Sequence, residues 1–303
     1  MMSNQYNRRE FLTKTGIWAA GTVLATTAMA KVEKKQKTKL STPHARKIGW
    51  RIACQLYTFR DRSFYEALEV IAGLGIRIVE PCYFLPLDKK RPDLKTSEAL
   101  SQDIRSELKK RLNDHGVKMV NYYAPVEGNT NNFRKIFDFA KEMGVKTLVA
   151  EPPAEVFDKL EELCEEYKIN LAIHNHPKSP ESKYWRPENV LRVCEGRSKR
   201  IGSCSDTGHW VRSGLDPIEC LKKARERIIT MHLKDVAESG KPEARDVPLG
   251  AGKANYTAVL KELHAQKFRG VMIIEYEHLS PQLVKDVAEC VKFVEQFAGS
   301  IEK

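Results

Sequence analysis

The chain has 303 residues, 42% of them hydrophobic, which is enough apolar sequence for one large globular domain. Its net charge of +11 is concentrated near the N-terminus, where residues 1–47 hold ten lysines and arginines against two acids. The remaining sequence is close to neutral, so the composition gives no basic stripe for nucleic acid, and none is expected as a partner.

The first thirty residues have the pattern of an export signal. Arg8 and Arg9 precede Phe-Leu, a mild apolar run follows over 16–28, and Ala28-Met29-Ala30 matches a cleavage site. The run is too short for a membrane anchor, so no stable membrane span is expected. Because the arginine pair resembles the twin-arginine signal of bacteria, we predict an exported, periplasmic protein with a signal over 1–30 and a lysine-rich linker over 31–47.

Seven cysteines are present, and no two of them form a C-x-x-C pair. An odd count leaves at least one thiol free unless the chain pairs with another. We therefore predict no disulfide framework and assign the cysteines to packing in the core.

From Ile48 onward, short apolar runs alternate with longer segments whose apolar residues share one helical face. Eight strands are predicted, over 52–59, 76–81, 118–124, 147–152, 170–176, 201–206, 228–233 and 270–275. Helices are predicted over 64–74, 129–143, 154–167, 187–194, 216–227 and 281–298, and also over 100–112, where a leucine or isoleucine recurs every four residues. The segment 82–96 is predicted to be a loop.

Eight such units favour a single α/β domain, a (β/α)₈ TIM barrel over 48–299 with a short tail over 300–303. The alternative is a doubly wound dinucleotide-binding fold, but no G-x-G-x-x-G follows the first strand. The glycine-rich segment Pro248-Leu249-Gly250-Ala251-Gly252 lies after the seventh strand, and is at most a phosphate-binding loop. No organic cofactor is predicted.

The carboxyl ends of the predicted strands carry acids and histidines, and in a barrel these ends meet at one mouth. They are Glu80, Glu151, His174, His176, Asp206, His209, His232, Lys234, Asp235 and Glu275. Alone, each is explained by a salt bridge or a hydrogen bond in the core. Four of them, Glu151, Asp206, His232 and Glu275, end apolar runs on separate strands, where burying a charge is costly. A shared divalent metal ion (Mn²⁺, Co²⁺, Mg²⁺ or Zn²⁺) would relieve the repulsion among three facing carboxylates.

The chain resembles the xylose isomerase-like TIM barrels of the sugar phosphate isomerase/epimerase family over 48–298. The motifs that carry the resemblance are Val149-Ala150-Glu151-Pro152, His174-Asn175-His176, Asp206-Thr207-Gly208-His209, His232-Leu233-Lys234-Asp235, Pro248-Leu249-Gly250-Ala251-Gly252 and Ile274-Glu275. The resemblance implies one divalent metal ion, with ligands Glu151, Asp206, His232 and Glu275. It also implies that Glu151 and Glu275 act as an acid–base pair, and that His209 contacts the substrate.

Further substrate contacts are expected from Glu80, His174, His176 and Lys234. The endonuclease branch of the superfamily needs metal-binding histidines on the second and third strands. Residues 76–125 contain only His115, at a helix end, so a DNA-cleaving site is not expected.

The predicted chemistry is removal of a proton next to a carbonyl. An exported enzyme meets few sugar phosphates, so we expect an isomerase or epimerase of a non-phosphorylated ketose or keto-sugar. Two alternatives remain open. One is a keto-glycoside lyase or dehydratase that uses the same enolate for β-elimination, with Lys234 or His176 protonating the leaving oxygen. The other is a non-catalytic periplasmic carbohydrate-binding protein. A homo-oligomer is possible in each case.

Overall fold

A computed structural model describes residues 39–301 of the chain. Its strands in chain order are β1 (Trp50–Gln55), β2 (Ile78–Glu80), β3 (Pro86–Asp88), β4 (Arg91–Lys95), β5 (Lys118–Met119), β6 (Asn121–Tyr123), β7 (Thr147–Ala150), β8 (Asn170–His174), β9 (Ile201–Asp206), β10 (Ile228–Leu233), β11 (Asp235–Val236), β12 (Asp246–Val247) and β13 (Gly270–Ile274). The helices are α1 (Pro43–Lys47), α2 (Phe64–Leu74), α3 (Gln102–Asp114), α4 (Phe133–Met143), α5 (Phe157–Tyr167), α6 (Pro187–Cys194), α7 (Thr207–Arg212), α8 (Pro217–Ala224), α9 (Tyr256–Ala265) and α10 (Leu283–Ile301).

Nine strand segments form one parallel sheet in the order β5-β2-β1-β13-β10-β9-β8-β7-β6. The segments β5 and β6 at its two ends are separated in sequence by Val120 alone, so together they are the third strand of a barrel. A parallel bridge between Cys82 and Tyr123 extends β2 alongside β6. The eight predicted strands and the (β/α)₈ fold are therefore confirmed.

Local sequence signals explain how the helices begin and end. Ser63 and Glu66 form a reciprocal capping box at the start of α2. The helix ends at Gly75, whose φ of +96° favours glycine, and a Cβ there would lie 2.8 Å from the backbone nitrogen of Leu40. This close approach fixes residue 40 against the barrel.

The structure adds elements that the sequence pattern did not reveal. Residues 82–96, predicted as a loop, contain the β3–β4 hairpin, and α7 begins directly after β9 with no intervening turn. A second hairpin, β11–β12, and helix α9 lie between β10 and β13. Within the predicted linker, residues 43–47 form α1, where the backbone nitrogens of His44 and Ala45 donate to Glu295 on α10. The linker is therefore structured at its C-terminal end.

The predicted export signal and residues 31–38 lie outside the described part of the chain. No helix within residues 39–301 is long and apolar enough to cross a membrane. All seven cysteines are buried and free, as expected for residues that pack in the core.

Candidate metal centre

Strand alternation places the predicted residues inside the barrel. Ala53, Val120, Val271 and Ile273 pack together as one small cluster inside the strands, and Val149, Ala172 and Cys204 form another. Because side chains alternate between the two faces of a strand, the residues two positions further along share this inner face. Those residues are Glu151, His174, Asp206 and Glu275. The sequence pattern therefore brings four strand ends to one mouth.

Asp206, Gly208 and His209 act together at the end of β9. Asp206 Oδ1 accepts a hydrogen bond of 2.8 Å from the backbone nitrogen of His209, so the carboxylate caps α7. A Cβ on Gly208 would lie 2.7 Å from Cβ and Cδ of Lys234, so only glycine leaves room for the lysine stem. The short Asp-Thr-Gly-His motif thus sets the positions of the carboxylate, the lysine and the imidazole.

Asn175 locks the neighbouring strand end in place. Its amide nitrogen donates to the carbonyl oxygen of Asp206 at 3.0 Å, and its amide oxygen accepts from the Asp206 nitrogen at 2.8 Å. These paired bonds join β8 to β9, and they fix His174 and His176 on either side of Asn175.

Lys234 lies at the centre of a carboxylate cluster and is 1% exposed. Its Nζ lies 3.2 Å from Asp206 Oδ2, 3.0 Å from Glu275 Oε2 and 2.8 Å from Glu277 Oε1. The same ammonium donates to His209 Nε2 at 3.1 Å. The lysine predicted as a substrate contact is therefore an internal counter-ion.

His232 lies between two buried acids. Its Nδ1 is 3.0 Å from Glu275 Oε2, and its Nε2 is 2.8 Å from Glu80 Oε1. Glu80 is fully buried and does not line the mouth of the barrel. A carboxylate that holds the far nitrogen of a ligating histidine is a common arrangement around protein-bound metals. Glu80 thus positions His232, whereas the sequence predicted only that Glu80 would contact the substrate.

Glu151 lies in a second group, on the other side of His174. It accepts a hydrogen bond from the Tyr123 hydroxyl at 2.8 Å, and its Oε1 is 2.6 Å from His176 Nδ1. His174 joins the two groups, with Nδ1 3.8 Å from Glu151 Oε1 and Nε2 3.6 Å from Asp206 Oδ2. Three members of the implied ligand set, Asp206, His232 and Glu275, are thus adjacent, and the fourth is reached through His174.

The charges in the cluster shift its pKa values strongly. Burial opposes ionisation of Asp206, but the charge of Lys234 and the nearby imidazole of His174 hold its pKa well below the usual range. The pKa of Glu275 is lowered in the same way, against burial, by Lys234 and His232. Against the cost of its own burial, Lys234 has a pKa raised well above normal by Asp206 and Glu275. These carboxylates are therefore ionised and Lys234 is charged at neutral pH.

The imidazoles of His209 and His232 are shifted in opposite directions. Burial, and then the neighbouring Lys234, lower the pKa of His209 well below normal, so its ring is neutral. For His232, burial is outweighed by the acidic groups around it, including Glu80 and Glu275, which raise its pKa. Each acid therefore stabilises the charged ring of His232, and a metal ion bound at Nδ1 would replace the proton there.

The residues present fit a divalent cation. Ligand atoms of His174, Asp206, His209 and Glu275 all lie within 4.8 Å of one another. Both ring nitrogens of His174 are buried without a hydrogen-bond partner, as is Glu80 Oε2. The cluster therefore contains atoms that are able to coordinate a metal ion and have no hydrogen-bond partner. A mixed set of carboxylate oxygens and imidazole nitrogens suits zinc, manganese, cobalt or magnesium.

A cavity of about 560 Å³ opens above this cluster. Its polar side is formed by residues that include His174, His209, Arg212, Glu275 and Glu277. Four aromatic residues, Tyr57, Tyr83, Phe84 and Tyr123, also line the cavity. Such a cavity is large enough for a ligand of sugar size or larger.

Sequence reasoning missed Glu277 and Arg212. Glu277 accepts from Lys234, and from Arg212 Nη1 at 2.6 Å, while Arg212 Nη2 donates to Asp246 at 2.6 Å. Against its burial, the charges of Lys234 and Arg212 lower the pKa of Glu277 to about 2. The signal was available in the spacing, since Glu277 is two residues beyond Glu275, and Arg212 follows His209 by one helical turn.

The glycine-rich loop after β12 does not bind phosphate through the amides that its motif suggested. Asp235 Oδ2 accepts hydrogen bonds of 3.0 and 2.9 Å from the backbone nitrogens of Gly250 and Gly252. A Cβ on Gly252 would lie 2.6 Å from Asp235 Cγ, which explains the glycine. Asp235 therefore stabilises the loop through its backbone amides and is not part of the metal cluster.

The fold and this site define the class of protein. The family model described as "Xylose isomerase-like TIM barrel" matches residues 68–294, so the chain belongs to that family. Among curated proteins, it is 29% identical over 136 residues to the rhizopine catabolism protein MocC of Rhizobium meliloti, a match that spans 39% of this chain and 41% of that protein. It is 25% identical over 219 residues to an inosose dehydratase of Geobacillus thermodenitrificans, covering 56% of this chain and 72% of the relative.

Solved structures show the same fold. An uncharacterised protein from Parabacteroides distasonis is 30% identical, with a TM-score of 0.66, and the alignment covers 82% of this chain and 99% of that one. The IolI protein, solved with a bound zinc atom, is 20% identical with a TM-score of 0.60, over 82% of this chain and 95% of that one. Two further solved relatives of this fold are described as a D-tagatose 3-epimerase-like protein and a magnesium complex.

Proposed function

We propose that this protein is a divalent-metal-dependent enzyme that removes the proton next to the carbonyl group of a non-phosphorylated ketose or keto-sugar. The observation that carries the proposal is the meeting of Asp206, His232 and Glu275 beneath a cavity of sugar size. Membership of a family that includes sugar-modifying relatives supports it. Return of the proton to another face or carbon makes the enzyme an epimerase or an isomerase.

The metal ion would be held by Asp206, Glu275 and His232. Glu151 would become a fourth ligand if the ring of His174 moved from its position between Glu151 and Asp206. His174 and His209 are the nearest alternative ligands. When bound, such an ion polarises a substrate carbonyl and stabilises the negative charge that develops on its oxygen. One structural relative was solved with zinc and another with magnesium, and both ions are compatible with this role, as are manganese and cobalt.

The protein's own carboxylates supply the proton transfer. Glu275 lines the cavity, and its lowered pKa keeps it ionised, which is the form that a general base requires. Its basicity would rise once a substrate displaced the ammonium of Lys234, which lies 3.0 Å away.

Glu151 is also ionised, because His174 and His176 lower its pKa against the effect of burial. Glu151 lines a neighbouring cavity, together with His176, and not the cavity that Glu275 lines. The two acids would therefore approach the substrate from different directions. Neutral His209, at the cavity wall, would contact a substrate hydroxyl or carbonyl.

A lyase outcome is the second candidate, and a specific contact favours it. His176 lines the cavity, is 45% exposed in its side chain and pairs with Glu151 at 2.6 Å. It could protonate a leaving oxygen, whereas Lys234 is buried and does not line the cavity. Inosose dehydratases, which are lyases, are among the relatives, and this supports the second candidate. Of the two acids considered from sequence, the geometry thus favours His176.

Export remains part of the proposal. The twin-arginine pattern at Arg8 and Arg9 favours a periplasmic site of action, where free sugars and glycosides are encountered more often than sugar phosphates. The use of the Gly250 and Gly252 amides by Asp235 is consistent with a substrate that lacks phosphate.

Product analysis tests the proposed function. The metal-loaded protein would be incubated with a panel of ketoses, keto-sugars and keto-glycosides, and products would be identified by NMR after the metal is removed. A new epimer or isomer supports the first outcome, and release of an aglycone supports the lyase. Unchanged substrates across the panel, with metal bound to the protein, would instead favour a carbohydrate-binding protein.

A further inference from the structure

Four aromatic rings, those of Tyr57, Tyr83, Phe84 and Tyr123, lie together in the cavity lining, and we call them the shelf. Arg60 covers the ring of Tyr57, with Cζ 4.7 Å from its centroid, and Phe84 is the most accessible ring of the four. Phe84 contacts each of the others edge-on, with ring centroids 6.0, 5.2 and 6.4 Å away, respectively. It is 41% exposed, and with Leu279 it is one of two large hydrophobic residues so exposed between residues 39 and 301. An exposed aromatic surface inside a cavity is typical of a ligand-binding surface.

The backbone holds this shelf in place before any ligand arrives. The Tyr83 nitrogen donates to the Tyr123 carbonyl at 3.1 Å, and the Leu85 nitrogen donates to the Cys82 carbonyl at 3.3 Å. The β3–β4 hairpin then follows at once, anchored by the fully buried Leu87. The ordered backbone therefore holds Phe84 at an exposed position before a ligand binds. Binding requires no further ordering of this backbone.

The cavity is thus lined by two chemically different groups of residues. Glu275, His174 and His209 are polar and can hold a keto-sugar ring by hydrogen bonds. The shelf residues are aromatic, and Phe84 is the exposed member among them. A planar ring stacks well on the apolar face of a sugar ring or on an aryl group. A single ketose bound by the polar residues would leave the aromatic rings of the shelf exposed to solvent.

We propose that the shelf of Tyr57, Tyr83, Phe84 and Tyr123 is a subsite for a second ring, so that the preferred substrate is a keto-glycoside whose aglycone lies on the shelf. The inference rests on the proposed function of the same cavity, and it narrows the substrate class from free ketoses to glycosides. The aglycone is a sugar or an aryl ring, and both share the apolar face that the shelf recognises.

Equilibrium binding tests the subsite without requiring turnover. Methyl and phenyl β-glucosides and a β-linked glucose disaccharide, none of which has a keto group, would be titrated by calorimetry against the metal-loaded protein. We expect the ligands with a second ring to bind about tenfold more tightly than the methyl glucoside. An advantage for the phenyl glucoside alone identifies an aryl subsite, and an advantage for the disaccharide alone identifies a sugar subsite. Equal affinity for all three would overturn the proposal.

Substitutions locate the effect on the shelf. Phe84→Ala and Tyr83→Ala should each remove most of the tenfold advantage, and Phe84→Leu should restore only part of it because it keeps bulk but not a planar ring. Leu279→Ala removes the other exposed apolar side chain, which does not line the cavity, and should retain the full advantage. Persistence of the advantage in correctly folded Phe84→Ala and Tyr83→Ala variants would refute the subsite. A ring preference without any product in the turnover assay would refute the proposed function and leave the subsite standing.

Discussion

Gly208 shows how one residue without a side chain organises the site. Lys234 reaches the carboxylates by passing over Gly208, where a Cβ would be only 2.7 Å from two atoms of the lysine stem. Gly208 does not have a left-handed backbone, so the constraint is one of space and not of conformation. The glycine in the Asp-Thr-Gly-His motif therefore leaves the space that the side chain of Lys234 occupies.

The first prediction concerns Gly208→Ala. We expect it to displace Lys234 and to destabilise the fold by about 1–3 kcal/mol, because overpacking a rigid site forces neighbours to move. Thermal unfolding of the purified protein measures this. Gly73→Ala, on α2 with nothing within 4 Å of the new Cβ, is the matched control and should be neutral or slightly stabilising. An unchanged melting temperature for Gly208→Ala would contradict the tight contact.

The second prediction concerns the buried ammonium of Lys234. Lys234→Met leaves Asp206, Glu275 and Glu277 without their counter-ion, which should cost about 3–5 kcal/mol of stability in metal-free protein. A divalent ion added to this variant would meet an uncompensated negative site. We therefore expect cobalt to bind Lys234→Met more tightly than wild type and to raise its melting temperature by more.

Calorimetry and thermal unfolding with added cobalt measure both effects. Lys222→Met, which removes an exposed lysine paired with Glu219, serves as the control and should behave as wild type. Weaker cobalt binding by Lys234→Met would show that the ammonium supports the metal site instead of competing with it.

At the scale of elements, an ion-pair network joins α3 to α4. Glu142 on α4 accepts hydrogen bonds of 2.8 Å from both Lys109 and Arg105 and 3.0 Å from Gln102, all on α3. Hydrogen bonds from Lys109, followed by Arg105 and Gln102, outweigh partial burial and lower the pKa of Glu142 to about 2. Because the folded-state pKa lies below the unfolded one, this contribution is present above the unfolded pKa and is lost as the pH falls towards 2.

The third prediction is that Glu142→Gln lowers stability at pH 7 by about 1 kcal/mol, and that the difference from wild type narrows as the pH falls below about 4.5. Urea unfolding at a series of pH values measures it. Glu289→Gln, at an exposed position on α10, breaks a single surface pair with Lys292 and should change little. A Glu142→Gln deficit that stays constant between pH 7 and pH 3 would rule out ionisation as its cause.

The elements that sequence reasoning found are those with strong periodicity. The eight strands and the helices with regular apolar stripes were predicted, since burial of one face dictates the pattern. Helix α7 has six residues and starts directly after Asp206, and a helix of this length is too short for apolar periodicity to show. The β3–β4 hairpin carries charged residues such as Asp88 and Arg91 and lacks apolar alternation. An ion pair between these two residues stabilises the hairpin instead. Tertiary contacts, not local pattern, form these two elements.

The candidate site was predictable to the same extent. Strand alternation was sufficient to bring Glu151, His174, Asp206 and Glu275 to one mouth. It could not show that Lys234 would be buried among the acids, that Glu80 would hold His232, or that His174 would stand between Glu151 and Asp206. Those relations depend on the barrel's closure, which joins strands distant in sequence.

At the scale of the whole molecule, the cysteines fit the proposed route of export. All seven are free and buried, and burial raises their pKa values, for example to about 12 at Cys164 and about 11 at Cys194. Such thiols are poorly reactive in an oxidising compartment because the thiolate is the reactive form. A protein exported after folding would arrive with these thiols already protected.

The fourth prediction tests this route. Replacing Arg8 and Arg9 together by lysine should retain the full-length protein in the cytoplasm, because the twin-arginine signal depends on the arginine pair. Cell fractionation and immunoblotting of the native host measure the distribution, with Lys34 and Lys35 replaced by arginine as the charge-conserving control. Normal periplasmic accumulation of the doubly substituted signal would contradict the assignment.

The central claim is that the carboxylates at the mouth of the barrel remove a proton next to a carbonyl with a bound metal ion. Deuterium uptake from D₂O into a keto-sugar, followed by mass spectrometry, tests it most directly. Wild-type protein loaded with manganese or cobalt should incorporate deuterium, and uptake should stop with a chelator and in a folded Glu275→Gln variant. Absence of uptake by wild type with metal bound and keto-sugar bound, or undiminished uptake by Glu275→Gln, would contradict the account.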